Sequence, residues 1–507
     1  MCKKNIISAF GIIDDKIYDG IHNRHEYVKQ NIVSDTSLKK KEKTEAIKIL
    51  NEIYDSNKIN ANSGTKRICE NCNQECFATI YCEFCVRNYL KTKFSSWTSN
   101  NYGIDILIQK CQMETLLPRN IIEWIPYHKF KNIRFLTKGG FSEIYEADWI
   151  DGRYYKWDSK KQQLKRRGKH SVILKKLGNV ESENQSWFEE AKSHITISHK
   201  WADGIVRCYG LTQNPSNGNY MLVMRKMNID LRRYLQQNHN QLTWEKRILI
   251  TFNIIDALDR IHGENAIHRD LHSGNILYDH NYQYFYISDF GFCGPAKRPS
   301  KSIYGNLPYI APEVINGKEY TFKSDIYSIA MLMWEISSGR PPFMNYEYDD
   351  YDLTLKIING FRPKIVPGTP LEYKNLMEQC WDADPLKRPD IITLWIEIKK
   401  MYQNTSNLLV TNDNIKVNET KSLKPRGILN TSKLYLFENL PEPRNATKAF
   451  HSKLYDFEIP DDNAKNNEEM MLYQNIKRHH LILIGTEIIN YGTFIVSKII
   501  LIYLYAL

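Results

Sequence analysis

Two acids set up the chemistry. Asp270 stands in the run IHRDLHSGNIL, Ile267 to Leu277, and Asp289 opens an Asp-Phe-Gly triplet shortly afterwards. The span between them, Tyr278 to Ser288, is rich in strand-forming aromatics and reads as a hairpin. Carboxylates held on a loop and at a strand end can divide the work of phosphoryl transfer. One orients a hydroxyl nucleophile while the other holds Mg2+ (or Mn2+) against phosphates.

Neither tripeptide carries weight alone, and context makes them a set. Asn275 follows in the same loop, Ala311-Pro312-Glu313 lies downstream, and Val172-Ile173-Leu174-Lys175 lies upstream. With these residues in place, the stretch from about Phe130 to Met401 resembles a eukaryotic protein kinase. The loop LHSGN is similar to loops of the tyrosine-kinase-like group, whose members mostly modify Ser and Thr. The resemblance implies an α+β, two-lobed protein kinase fold, with an antiparallel sheet and one long helix in the small lobe, a mainly helical large lobe, and ATP in the cleft.

Roles follow from that resemblance position by position. Asp270 would orient the acceptor hydroxyl, His268 and Arg269 would brace the loop, and Asn275 and Asp289 would hold Mg2+. Lys175 would hold the α and β phosphates and pair with Glu190, with Glu189 as the neighbouring alternative. Leu136, Gly139, Gly140, Phe141, Ser142 and Ile144 would form the loop over the phosphates. Met224 would be the gatekeeper, and Arg225 to Met227 would offer backbone groups to adenine. Ser300, Ser302 and Tyr304 would be phosphoacceptors of the activation segment. Glu313 would pair with Arg388, and Asp325 would hold the catalytic loop.

The sequence also departs from the kinase pattern. Thr137 and Ser142 stand at two of the three glycine positions of the phosphate loop, His272 stands where most serine/threonine kinases have Lys, and Asn306 where many have Thr. These departures keep an alternative open, a pseudokinase scaffold that binds partners without transfer.

Five of the ten cysteines cluster between Cys69 and Cys85. Cys69, Cys72, Cys82 and Cys85 form two CxxC pairs, the spacing of a structural Zn2+ site. Cys76 is a spare or substitute ligand. Glu70, Glu75 and Glu83 lie among them, so nucleic-acid binding is not expected. The run from the cysteines through Trp124 is similar to that of an expanded group of fungal kinases with a zinc module.

The chain has 507 residues, 42% of them hydrophobic, enough for two or three domains. Its net charge of +11 is spread along Lys-rich loops. One such loop is the insertion from Tyr154 to His170, read as solvated. We divide the chain into a partly disordered leader over 1–66, a zinc-binding module and helical strap over 67–129, the kinase domain over 130–402, a low-complexity tail over 403–480 and a hydrophobic segment over 481–507. The leader would carry one amphipathic helix from Ser34 to Tyr54. The polar, Asn-rich tail returns too little apolar burial to order itself. The last segment is long enough to span a membrane, but Glu487 and Lys498 oppose insertion. The expected partners are ATP, protein substrates and proteins docking on the zinc module, with membrane contact only through 481–507. Scattered single cysteines fit a cytoplasmic setting, with nuclear or tail-anchored residence as alternatives.

Overall fold

The computed structural model describes residues 20–115, 117–138, 142–178, 186–201, 204–291, 293, 303–344, 349–408, 432–437 and 440–445. Gly139, Gly140, Phe141, Ser300, Ser302 and the segment 481–507 lie outside the described residues. In chain order the elements before the small lobe are α1 (Ile21–Ser34), α2 (Lys40–Ala61), β1 (Arg67–Ile68), β2 (Glu75–Cys76), α3 (Glu83–Lys91) and α4 (Tyr102–Glu114). The small lobe comprises β3 (Glu123–Trp124), β4 (Phe130–Lys138), β5 (Glu143–Trp149), β6 (Tyr154–Asp158), β7 (Gln163–Arg166), β8 (His170–Lys176), α5 (Ser186–Lys200), β9 (Cys208–Gln213) and β10 (Tyr220–Arg225). The large lobe follows with β11 (Ile229–Asp230), α6 (Leu231–Asn238), α7 (Trp244–Gly263), β12 (Ile276–Asp279), β13 (Tyr284–Ile287), β14 (Ile303–Gly305), α8 (Pro312–Ile315), α9 (Phe322–Ser338), α10 (Asp350–Ile358), α11 (Leu371–Cys380), α12 (Ile391–Leu408) and β15 (Lys433–Tyr435).

The period of two in β8 and β10 separates two cores. Val172, Leu174, Met221 and Val223 join Ala147 and Trp149 on one face of the sheet. Leu222 and Met224 face the other way and pack with Ala191 and Ile195 of α5. The sheet runs β3-β9-β10-β8-β5-β4, and β8 is central, with Lys175 in register with Ile144 and Leu222. The first strand, β3, pairs parallel with β9. There Gly210 is irreplaceable: it has φ 146°, and a Cβ would sit 1.8 Å from the Glu123 carbonyl oxygen.

In the large lobe, apolar faces of α7, α9 and α12 bury one core. The indole N–H of Trp395 donates to Asp256 at 2.9 Å and thereby ties α12 to α7. The expected hairpin between the two acids is β12 and β13, paired from Ile276↔Ile287 to Asp279↔Tyr284. Its register fixes how far apart the catalytic loop and Asp289 emerge.

Three stretches differ from the sequence reading. The leader forms two helices, because Asp35 accepts hydrogen bonds from Ser37 N–H and Oγ–H and turns the chain where a single helix was expected. The helices pack through Val28, Ile32, Leu38, Ala46 and Leu50. The basic insertion is a hairpin, β6 paired with β7, and its Trp157 and Leu164 are buried against the cysteine module. Within the low-complexity tail, β15 pairs antiparallel with β14, and Tyr435 enters the core of the large lobe.

Candidate active site and metal centre

The small lobe delivers a cation to the cleft. Lys175 Nζ lies 2.8 Å from Glu190 and 2.6 Å from Asp289. Burial works against the lysine's charge, yet the two carboxylates hold its pKa above the ordinary value. Burial also opposes the charge of Asp289, but Lys175 overrides it and keeps that carboxyl well below its usual range. Glu190 is pushed up by burial, with the Asp289 charge adding to the shift. Of the two acids that share this buried cation, Asp289 is the one whose charge is favoured.

Asp289 has φ 63°, a conformation held by its surroundings. Phe290 is buried, its N–H donates to His194 Nε2 at 3.0 Å, and its ring meets those of His194 and His268. Burial, with Lys175 nearby, depresses the His194 pKa to about 3, so the ring is neutral and able to accept.

The large lobe presents the second acid. The Asp325 carboxylate accepts from the backbone N–H groups of His268 at 2.8 Å and Arg269 at 3.0 Å, and meets His262 Nε2 at 2.9 Å. Burial lowers the His268 pKa. Its Nδ1 accepts from the Asp270 N–H at 3.3 Å while Nε2–H donates to the Ser288 carbonyl at 3.0 Å. One ring thus joins the loop of Asp270 to the strand end of Asp289. The Asn275 amide donates to the Asp270 carbonyl at 2.9 Å, which leaves its oxygen as the atom that could ligate a cation. Ser432 from the tail donates its hydroxyl to Asp270 Oδ1 at 2.8 Å.

The nucleotide-facing positions are partly described. Ile144 lies beside Lys175 in register, and Met224 is buried opposite Ile173. Leu136 is exposed on β4 and Ser142 precedes β5. The Arg225 backbone N–H is taken by the Arg207 carbonyl at 2.8 Å, and Met227 follows β10 in the chain. The Arg225 guanidinium turns away to the Asp279 carboxylate and faces Tyr282 and Tyr286. Tyr304 lies on β14, paired with Leu434.

The cysteines converge separately. The four sulfurs of Cys69, Cys72, Cys82 and Cys85 lie within 4.8 Å of one another. Thiolates bound tetrahedrally at about 2.3 Å from zinc are about 3.8 Å apart, and the pairs Cys69–Cys85 and Cys72–Cys82 measure 3.7 Å. Although burial opposes it, backbone N–H groups of Cys72 and Asn71 bring the Cys69 thiol down to about 6. Cys82 caps α3, accepting from the Cys85 N–H at 3.5 Å. Cys76 lies beside the quartet, its sulfur within 4.8 Å of Cys82 Sγ and a Glu83 carboxylate oxygen, and contacts the Ala78 carbonyl. The residues fit a zinc ion in number, donor type and spacing.

His194 and Ser432 escaped the sequence reading. A lone histidine on a helix carries no signal, whereas the apolar run Leu434 to Phe437 was a strand signal obscured by the polar stretches around it.

A family model for protein tyrosine and serine/threonine kinases matches residues 130–398, more than half of the chain. The chain belongs to this kinase family. Relatives include a probable serine/threonine-protein kinase roco5 of Dictyostelium discoideum, 29% identical over 57% of this chain and 10% of the relative. The dual specificity protein kinase zakA of the same organism is 28% identical over 44% of this chain and 32% of its own. A human dual serine/threonine and tyrosine protein kinase is 35% identical over 33% of this chain and 18% of its own. The kinase thus spans a third or less of the length of these relatives.

Proposed function

We propose that this kinase is catalytically active, transferring the γ-phosphate of ATP to protein hydroxyls, Ser and Thr foremost, as in the tyrosine-kinase-like group. The observation that carries this reading is the joined set of Lys175, Glu190 and Asp289, facing Asp270 and Asn275 across one cleft. Lys175 orients the α and β phosphates, and Glu190 keeps Lys175 in place. Asp270 orients the acceptor hydroxyl and takes its proton as the oxygen–phosphorus bond forms and ADP departs. Asn275 and Asp289 hold magnesium, which when bound neutralises phosphate charge. Relatives named as serine/threonine and dual-specificity kinases support the choice of acceptor.

The test is transfer of γ-labelled phosphate by the purified chain with Mg2+ to itself and to generic acceptor proteins. We expect phosphoserine and phosphothreonine in the product, and no label with Asp270→Ala. Surviving transfer in that variant would overturn the assignment. Thr137 and Ser142, in place of glycines, favour a second reading as a scaffold without turnover. Absence of both transfer and nucleotide-induced thermal stabilisation would select it.

Cys69, Cys72, Cys82 and Cys85 bind a structural zinc ion in this proposal, and the module around them is a surface for protein partners. None of the nine cysteines among the described residues is in a disulfide, in keeping with a reducing cytoplasmic setting. Among the described residues no helix is long and apolar enough to cross a membrane.

A further inference from the structure

The tail occupies the place where a protein substrate would lie. Strand β15 pairs antiparallel with β14, in register from Ile303↔Tyr435 to Gly305↔Lys433, so the segment is held by main-chain hydrogen bonds as an added strand. Three side chains anchor it: Tyr435 is buried in the large-lobe core, Phe437 packs against that core and meets the Tyr351 ring, and Lys433 lies 3.3 Å from Asp350. Further along, Arg444 N–H donates to the Ile358 carbonyl at 2.9 Å and Asn445 accepts from the Ala383 N–H at 2.7 Å. Gly305 on β14 has φ 143°, and a Cβ there would come within 3.2 Å of the Ile310 side chain.

This path ends with Ser432 on the catalytic acid, and the hydrogen bonds around its hydroxyl have a fixed direction. The Gly274 N–H donates to His272 Nδ1 at 3.1 Å, so Nδ1 is an acceptor and the ring N–H lies on Nε2. Nε2–H then donates to Ser432 Oγ at 3.1 Å, and the Ser432 hydroxyl donates to Asp270 Oδ1 at 2.8 Å. One oxygen lone pair is used by His272 and the proton points at the acid. The Tyr304 side chain is a third hydrogen-bond partner of Ser432, and it must give way for the second lone pair to meet a phosphorus atom.

We propose that Ser432 is a phosphoacceptor of this kinase in cis, delivered to Asp270 by the docked strand β15. The proposal rests on the kinase being active. In the transfer, the Ser432 Oγ–phosphorus bond forms as the bond from the γ-phosphorus to the β–γ bridging oxygen breaks. The electron pair leaves with ADP, and the hydroxyl proton passes to Asp270 and then to solvent. The product places a phosphate beside Asp270, where like charges repel, so the strand leaves and the groove opens to other proteins.

The experiment follows Ser432 occupancy by phosphopeptide mass spectrometry in the full chain with Mg-ATP and a generic acceptor protein, across a dilution series. The expected result is a first-order rate at Ser432 that does not change with kinase concentration, accompanied by a lag in acceptor labelling that preincubation with ATP removes. Tyr435→Asp, which undocks the strand, should slow Ser432 labelling roughly tenfold or more, as an intramolecular encounter loses its effective concentration, and should abolish the lag. Ser432→Ala should label the acceptor slowly throughout, without acceleration, whether or not it is preincubated with ATP. Acceptor labelling with Ser432 bare, or a Ser432 rate proportional to concentration, overturns the proposal while leaving the kinase reading intact. Transfer to neither overturns both.

Discussion

At the scale of single residues, the family motifs were legible because their chemistry demands fixed residue types at fixed spacing. Glu313 and Arg388 meet as expected in a double contact, both distances 2.7 Å, with both side chains buried. Removing one partner strands the other charge, so Arg388→Ala should cost about 3–5 kcal/mol, measurable by denaturant unfolding. Asp325 gives a pH prediction. Burial opposes its charge, yet its bonds to His262 and the loop N–H groups leave its pKa lowered. A depressed acid contributes stability that is fully present above its unfolded value of about 3.9 and is lost as pH falls through the folded value. Asp325→Asn should therefore destabilise the chain near neutrality and flatten the acid limb of melting temperature against pH below about 4. The direction of the His272 ring was not legible, because it is set by a backbone N–H and by a tail serine more than a hundred residues away.

At the scale of elements, strands and helices with clear periodicity were readable, and those decided by distant partners were not. The Tyr154 to His170 insertion reads as charged, but its Trp157 and Leu164 find an apolar bed supplied by another part of the chain. Arg166 then fastens it by a double contact to Glu123, at 2.5 and 3.2 Å. Helix α4 shows the reverse: its apolar face was plain, but its target was not. Ile104, Ile108 and Cys111 pack on Trp187, Ala191 and Ile195 of α5, the helix that carries Glu190. Ile108→Ala should cost about 2–5 kcal/mol. Part of that loss should appear as weaker nucleotide binding, because α5 no longer holds Glu190 against Lys175. Isothermal titration with an ATP analogue, beside thermal melting, separates the two effects. A variant that melts lower but binds nucleotide as tightly as the wild type would limit α4 to a packing role.

At the scale of the whole molecule, the cysteine module is bound to its neighbours on both sides. Asp55 of α2 accepts from Thr79 N–H and Ile80 N–H at 2.8 and 3.1 Å, and Glu52 meets Arg119 at 2.6 Å. The β6–β7 hairpin covers the other side. Metal binding free energy in such a site is folding free energy, so stripping zinc with a chelator should lower the melting temperature of the kinase lobes as well as the module. Zinc content near one per chain, lost in Cys69→Ser with Cys82→Ser, is the accompanying measurement. The clustered cysteines were legible in the sequence but this coupling was not, because the contacts join stretches far apart in the chain.

Strand β3 draws a last consequence. It lies before Phe130, where the family match begins, yet it completes the edge of the six-stranded sheet beside β9. The stretch matched by the kinase family and the unit that folds are therefore different lengths of polypeptide. A protein cut at the homology border would leave the main-chain groups of β9 that face β3 without their partners and the Trp157 indole without its bed, an invitation to self-association.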